Sequence, residues 1–161
     1  MTGLGEERLE RIEPFYISPW KHRAKIRILG RDHTEMGAKN ANPERIVFTK
    51  ASSRNGRVGI GVAYLGPYAH RMISKTLGSS TSVNAHHREL VALYKACRVV
   101  NQRWPDQDTD PRIPVRILSS SRSALEVLTK PRQQSGQGTV RRIYELLDRL
   151  AAAWKLRVVF Q

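Results

Sequence analysis

Residues 46–53 read IVFTKASS, and a lysine stands in the middle of this stretch. The apolar and β-branched run 46–49 favours a β-strand, and the small residues 51–53 indicate a turn after it. The end of a strand is where many α/β enzymes place a catalytic carboxylate. Position 50 holds Lys50 instead. The stretch is therefore either an ordinary strand end or an active site whose central acid has been replaced.

Length and composition place the chain among globular proteins with one domain. It has 161 residues, of which 40% are apolar, enough for a core and too many for global disorder. No apolar run approaches the length of a bilayer span, and the charged start MTGLGEERLER lacks the apolar core of a signal peptide. Cys97 is the single cysteine, so no internal disulfide forms. We predict an intracellular protein, nuclear or cytoplasmic.

Positive charge is the strongest bulk feature of the sequence. Lys and Arg total 28 against 14 acidic residues, a formal net charge of +14. Residues 45–161 carry 20 basic and 7 acidic groups, whereas residues 1–44 carry 8 and 7. Such a field attracts polyanions, because binding releases their condensed counterions. Nucleic acid is the first expectation, ahead of an acidic protein or a membrane surface, and a basic surface that serves only solubility is the plain alternative.

The chain divides into an N-terminal arm, residues 1–44, and a domain, residues 45–161. Pro14 and Pro19 interrupt the arm. Its segment KHRAKIRILGR alternates basic and apolar residues, which indicates an added strand or a bound extended peptide. We expect the arm to be partly packed on the domain.

Within the domain, the hydrophobic periodicity predicts eight elements. Period-two patterns on both sides of an Asn55-Gly56 turn, and after it, predict three antiparallel strands. There follow a helix capped by Thr81 or Ser82, a strand, a helix capped by Ser121, a long helix and a last strand. The order βββαβααβ predicts an α/β fold with a mixed five-stranded sheet, three strands antiparallel and two parallel, and helices on both faces. The predicted inner face of the long helix comprises Val140, Ile143, Tyr144, Leu147, Leu150, Ala151 and Trp154.

Four sequence words carry a resemblance to a known family. They are FTKAS (48–52), VGIGVAY (58–64), HHRELVAL (86–93) and SSSRSALEVL (119–128), in this order. Together they resemble the ribonuclease H domain of fungal LINE-type (non-LTR) retrotransposon polyproteins. The resemblance covers roughly residues 45–161. It implies a ribonuclease H-like fold, derived from a retrotransposon, that is truncated at its C-terminus and lacks the final helix.

The resemblance also implies an active site of four carboxylates around two divalent metal ions. The first acid would stand at position 50, which is Lys50, and the third at position 120, which is Ser120. The second is retained as Glu89, and the fourth would lie beyond the last residue, Gln161. Magnesium binds weakly to a single carboxylate, and a lysine ammonium repels it. We therefore predict a catalytically inactive domain, not an enzyme, with no cofactor and no metal site.

Two roles remain open for Lys50, which either pairs with Glu89 or holds a phosphate in the former groove. In the family the substrate duplex crosses the active-site edge and the neighbouring helix ends, so basic residues there are candidates for contacts to a nucleic-acid backbone. The predicted nucleic-acid-binding residues are Lys50, Arg54, Arg57, Arg122, Lys130, Arg132, Arg141 and Arg142.

The function predicted from these observations is binding of duplex RNA or an RNA–DNA hybrid without cleavage. The alternative is a protein-interaction or dimerisation module on the same fold, because the missing helix leaves a sheet face less covered. Nucleic acid is thus the expected partner, a protein or a second copy is the rival, and no membrane partner is expected. Cys97 is predicted to be a buried small hydrophobe.

Overall fold

The structure, a computed structural model of the chain, describes residues 12–13, 26, 28, 45–65, 70–103, 114–131, 135–155 and 157–161. The strands are β1 (Ile46–Arg54), β2 (Arg57–Leu65), β3 (His70–Ser79), β4 (Val115–Ser119) and β5 (Val158–Phe160). The helices are α1 (Ala85–Arg103), α2 (Arg122–Thr129) and α3 (Gln137–Trp154). No described helix is long and apolar enough to cross a bilayer.

The five strands form one mixed sheet in the order β3-β2-β1-β4-β5. β1 and β2 are antiparallel and joined by Asn55-Gly56, both with positive φ, the conformation that a tight hairpin turn requires. β3 pairs with β2 antiparallel, whereas β4 pairs with β1, and β5 with β4, in parallel. The predicted α/β fold class with its mixed five-stranded sheet is confirmed.

The core lies on one face of this sheet. Side chains alternate between the two faces of a strand. In β1 the buried residues are Val47, Thr49 and Ala51, and their register partners on β2 are also buried. The same face continues through Ile117 to Phe160. This face joins the buried side chains of all three helices in one apolar core.

The opposite face of the sheet is the open face, represented here by Phe48, Lys50, Met72 and Leu118. None of the described side chains on it is buried. Phe48 is 42% exposed and Met72 is 79% exposed. The prediction placed helices on both faces, but the three described helices share the core on one face. The period-three and period-four patterns specify an apolar stripe on each helix without specifying the sheet face that receives it.

The helix boundaries follow from local capping and from apolar spacing. Ser121 caps α2, because its Oγ accepts a hydrogen bond from the Ala124 N–H at 3.3 Å, as predicted. α1 is capped by Asn84 rather than by Thr81 or Ser82, since the Asn84 side chain accepts from the His86 N–H at 2.8 Å. The hydroxyls of Thr81 and Ser82 interact with Ser79 instead.

The apolar stripe of α3 is buried from Val140 to Leu150, as predicted. Tyr144 also donates a hydrogen bond to the carbonyl of Leu128, which ties α3 to α2. The end of the predicted stripe does not join the core, because Ala151 is exposed and Trp154 is 47% exposed.

Three described residues of the N-terminal arm contact the domain. Ile28 forms a parallel bridge with Phe160, beyond the β5 edge of the sheet. Ile26 packs against the core, and the Glu13 N–H donates to the Gln137 side chain at 3.0 Å. The predicted boundary at residue 44 lies outside the described residues, and the division into an arm and a domain stays a prediction.

Gly136 provides a test of this packing. Its φ is +85°, and a Cβ there would lie 2.5 Å from Cδ1 of Leu90, a fully buried residue of α1. We expect Gly136→Ala to lower the free energy of unfolding by about 1–3 kcal/mol through backbone strain and this clash. Gly138→Ala is the matched control, since Gly138 lies in α3 with open space at its Cβ. In this control the free energy of unfolding should rise by up to about 1 kcal/mol, because alanine favours a helix more than glycine does. Urea unfolding measures both, and equal effects would contradict the packing described.

Candidate functional site

The candidate site is built where β1 and β4 run side by side. In their parallel register Thr49 is the partner of Ser119. Lys50 and Ser120 each follow one residue later, so the pairing brings the two positions to the same edge although 70 residues separate them in the sequence. Both side chains are exposed. The side chain of Lys50 belongs to the open face, because it alternates with the buried Thr49 and Ala51.

Glu89 reaches the same place from the first turns of α1. Its carboxylate accepts a hydrogen bond from the Ala51 backbone N–H, directly after Lys50. Burial raises the pKa of the Glu89 carboxyl above its ordinary value, while the Ala51 N–H, Arg88 and Lys50 act in the opposite direction. One carboxylate oxygen, Oε2, is buried without a hydrogen-bond partner. The structure thus brings together the three positions that the sequence words singled out.

Lys50 and Glu89 do not form the salt bridge considered from the sequence. Lys50 acts on the pKa of Glu89 through space, but no ion pair or hydrogen bond joins their side chains. Lys50 points to the open face, whereas Glu89 arrives from the helix-covered face and binds the backbone. The lysine ammonium is therefore accessible to an anionic ligand.

The predicted basic residues fall on two sides of the molecule. Arg54 and Arg57 are register partners at the end of the β1–β2 hairpin, on the same face as Lys50 and about 13 Å along the strand from it. Arg122 is 90% exposed and follows the Ser120 edge, where it pairs with Glu126 at 2.8 Å. Lys130 is exposed at the far end of α2.

The remaining predicted residues do not extend that surface. Arg141 and Arg142 are exposed on α3, which packs against the opposite face of the sheet. Arg141 pairs with Glu145 at 3.1 Å. Arg132 lies outside the described residues. The eight predicted residues therefore do not form one continuous footprint, because sequence spacing along separate elements does not specify their relative orientation.

Three further residues with reactive or metal-binding side chains are Cys97, His86 and His87. Cys97 is fully buried in the core, and burial raises the pKa of its thiol to about 12, so it remains protonated and unreactive at neutral pH. His86 and His87 stand in the first turn of α1 beside Glu89. Within the described part of the chain, no group of three or more His, Cys, Asp or Glu side chains could hold a metal ion.

Comparison with solved structures identifies the fold. The chain is similar to RNase H1 from the halophilic archaeon Halobacterium salinarum NRC-1, with 13% identity and a TM-score of 0.51 over 73% of this chain and 83% of that one. It is also similar to LC11-RNase H1 in complex with an RNA/DNA hybrid, with 17% identity and a TM-score of 0.53 over 73% and 83%. The chain has a ribonuclease H-like fold.

A third similar structure is LC11-RNase H1 isolated from compost by a metagenomic approach, with 15% identity and a TM-score of 0.53 over 74% of this chain and 83% of that one. No protein-family model and no curated protein matches the sequence. The likeness therefore lies in the fold, at a sequence identity of 13–17%.

The residues at the candidate site do not fit a pair of divalent metal ions. Magnesium prefers oxygen ligands in octahedral geometry, and two-metal hydrolysis needs several carboxylates between the ions. The candidate site offers the Glu89 carboxylate, an exposed lysine and a serine hydroxyl. The Lys50 ammonium opposes cation binding at this position.

The prediction that the chain is not an enzyme is wrong. The solved structures that share its fold are RNase H1 enzymes. The prediction equates a lysine and a serine at two expected acid positions with loss of activity, and the structure does not show that loss.

One basic cluster was missed in the sequence. Arg142 shares a cleft with Arg98 and Arg149, which were not among the predicted nucleic-acid-binding residues. Their helical spacing was visible in the sequence, but only the packing of α1 against α3 brings them together.

The raised pKa of Glu89 predicts a pH-dependent stability. The folded protein holds the Glu89 proton more tightly than the unfolded chain, so this contribution is present at low pH and is lost as the pH rises through the raised pKa. Relative to wild type, Glu89→Gln should therefore gain stability as the pH rises above about 4, the pKa of a glutamate in the unfolded chain. Glu126→Gln, which removes an exposed carboxylate paired with Arg122, should show no such gain. Denaturant unfolding at several pH values checks this, and parallel curves for both variants would refute it.

Proposed function

We propose that this ribonuclease H-like domain binds an RNA–DNA hybrid or duplex RNA through the phosphate backbone, along the edge that carries Lys50. The observation that carries the proposal is the position of Lys50. It is an exposed cation beside Ser120 and Glu89, where the sequence words align with the acid positions of ribonuclease H. An exposed cation at this edge can pair with a phosphate of a duplex backbone.

The positive charge around Lys50 supports a duplex that lies along this edge. Arg54 and Arg57 continue the positive charge of Lys50 along the open face, and Arg122 stands next to Ser120. The chain as a whole carries a net charge of +14. A related fold, LC11-RNase H1, has been solved with an RNA/DNA hybrid. Lys130 and Arg132 are proposed as outer contacts, whereas Arg141 and Arg142 face away from this duplex.

The origin of the domain is part of the proposal. The words FTKAS, VGIGVAY, HHRELVAL and SSSRSALEVL support descent from the ribonuclease H region of a fungal LINE-type retrotransposon. The RNase H1 neighbours share the fold, and the proposed descent is carried by the sequence words alone.

Binding is tested by titrating an RNA–DNA hybrid, duplex RNA and duplex DNA of equal length over a range of salt concentrations. We expect the hybrid and duplex RNA to bind more tightly than duplex DNA, because their A-like geometry is recognised by shape. Lys50→Gln should weaken binding to all sequences alike. It should also lower the salt slope, the steepness with which log K falls against the logarithm of the salt concentration, by about one, the value for one lost phosphate contact. Lys75→Gln is the control. Lys75 is exposed at the edge strand β3 and lies on the opposite sheet face from Lys50, so loss of its charge should leave the slope unchanged.

Cleavage is followed in the same reactions, with magnesium present and product lengths measured at the end. Products formed by the wild type and absent with Glu89→Gln would assign hydrolysis to this chain rather than to a contaminating nuclease. Failure of all three duplexes to bind at low salt, or equal slopes for Lys50→Gln and Lys75→Gln, would overturn the proposed binding edge.

A second candidate function is self-association through the open face. Met72, Ala63, Phe48 and Leu118 are successive register partners on four neighbouring strands, so they form an apolar row straight across the sheet. Phe48 and Met72 are exposed within the described structure. Exposed apolar rows of this kind favour contact with a second apolar surface.

Self-association is tested by sedimentation over a wide concentration range. A dimer of the wild type should dissociate in Met72→Glu, because the carboxylate would be buried in the interface without a partner. Thr76→Glu places the same charge on the same strand and face, four residues from the row, and should retain the dimer. A monomeric wild type at all concentrations would exclude this candidate.

A further inference from the structure

A second basic site lies between the outer faces of α1 and α3. The two helices border an open cleft of about 610 Å³. Its lining includes Tyr94, Arg98 and Asn101 from α1, and Arg142, Glu145 and Arg149 from α3. The volume is within the range of clefts that hold small ligands or short segments of a larger one.

The spacing of these residues explains why they face one another. Tyr94, Arg98 and Asn101 stand at i, i+4 and i+7 on α1, which places them on one side of the helix. Arg142, Glu145 and Arg149 follow at i, i+3 and i+7 on α3. The buried stripes of the two helices share the core, so these outer stripes border a common groove.

The cleft has an excess of positive charge. It contains three arginines and one carboxylate, and that carboxylate already accepts a hydrogen bond from Arg141 at 3.1 Å. Among the described residues, Arg98, Arg142 and Arg149 form no ion pair. Three guanidinium groups around one groove repel one another, and an anionic ligand removes that repulsion.

The cleft also holds an aromatic ring. Tyr94 is half-buried and packs against the core, which fixes the ring while part of it stays accessible in the cleft. Cationic grooves with a fixed aromatic ring bind single-stranded nucleic acid, since the arginines hold phosphates and the ring stacks on an unpaired base. A duplex keeps its bases paired inside, and an acidic peptide has no base to stack on Tyr94.

This cleft is separate from the Lys50 site. Arg98 follows Glu89 by nine residues, which corresponds to half a turn around the helix and about 13 Å along its axis. We propose that the cleft binds a single-stranded nucleic-acid segment, with phosphates on Arg98, Arg142 and Arg149 and a base on Tyr94. The proposal goes beyond the duplex-binding function and does not depend on it.

The test is a salt-dependent titration of labelled oligouridine, a strand without stable secondary structure, followed by fluorescence anisotropy. The double variant Arg142→Gln, Arg149→Gln should lower the salt slope by about 1.4, the value for two phosphate contacts of a single strand. Tyr94→Leu should weaken binding about tenfold, and Tyr94→Phe should bind like the wild type because stacking needs only the ring. Lys75→Gln is the control for loss of an exposed charge outside the cleft.

Several outcomes would overturn the proposal. One is a double variant whose salt slope matches that of Lys75→Gln, and another is poly-glutamate displacing oligouridine with equal potency. Equal affinities of Tyr94→Leu and Tyr94→Phe, with both folded by circular dichroism, would remove the stacking contact. Should Tyr94→Leu fail to fold, the arginine variant decides alone. The duplex site is tested separately, by titrating a blunt-ended RNA–DNA hybrid with the wild type and with Lys50→Gln. Failure at one site is therefore distinguishable from failure at the other.

Discussion

The structure depends on the packing of α1 against the centre of the sheet. Leu90, Leu93, Cys97 and Val100 are fully buried, and α1 contacts β1, β2, β4 and both other helices. This one helix thereby decides which face of the sheet becomes the core. Because buried apolar area is the main favourable contribution to folding, the remaining elements are arranged around the surfaces that α1 leaves available. The close approach of Gly136 to Leu90 shows how tightly the start of α3 is fitted to it.

The same helix positions the candidate site. Glu89 stands one residue before the first buried leucine of α1, so the packing that buries Leu90 also presents the carboxylate to the Ala51 N–H. The parallel pairing of β1 with β4 supplies the other two positions, Lys50 and Ser120. The three positions thereby meet at one strand edge of a ribonuclease H-like fold. A half-buried carboxylate and an exposed lysine occupy one strand edge, and the lysine faces outward, where a phosphate backbone can reach it.

The positive charge of the chain is divided between two surfaces by this arrangement. Lys50, Arg54 and Arg57 belong to the open face, whereas Arg98, Arg142 and Arg149 border the cleft on the far side of α1. A duplex on the first surface and a single strand in the second would both be consistent with the net charge of +14. The open face also carries an apolar row from Met72 to Leu118, so nucleic acid and a second copy of the chain would compete for neighbouring parts of it.

The sequence by itself determined the elements and their order, because hydrophobic periodicity is a local property of each segment. It also singled out Lys50, Glu89 and Ser120 through the resemblance of its sequence words to ribonuclease H, and the fold brings these three positions to one edge. It did not determine that all described helices cover one face, that Asn84 rather than Thr81 caps α1, or that Trp154 is half exposed. These features depend on how elements distant in sequence meet. The basic residues show the same division. Their spacing along each helix and strand was visible in the sequence, but only the tertiary structure separated them into two surfaces. The reason is that packing, and not local pattern, sets the relative orientation of the helices and the sheet.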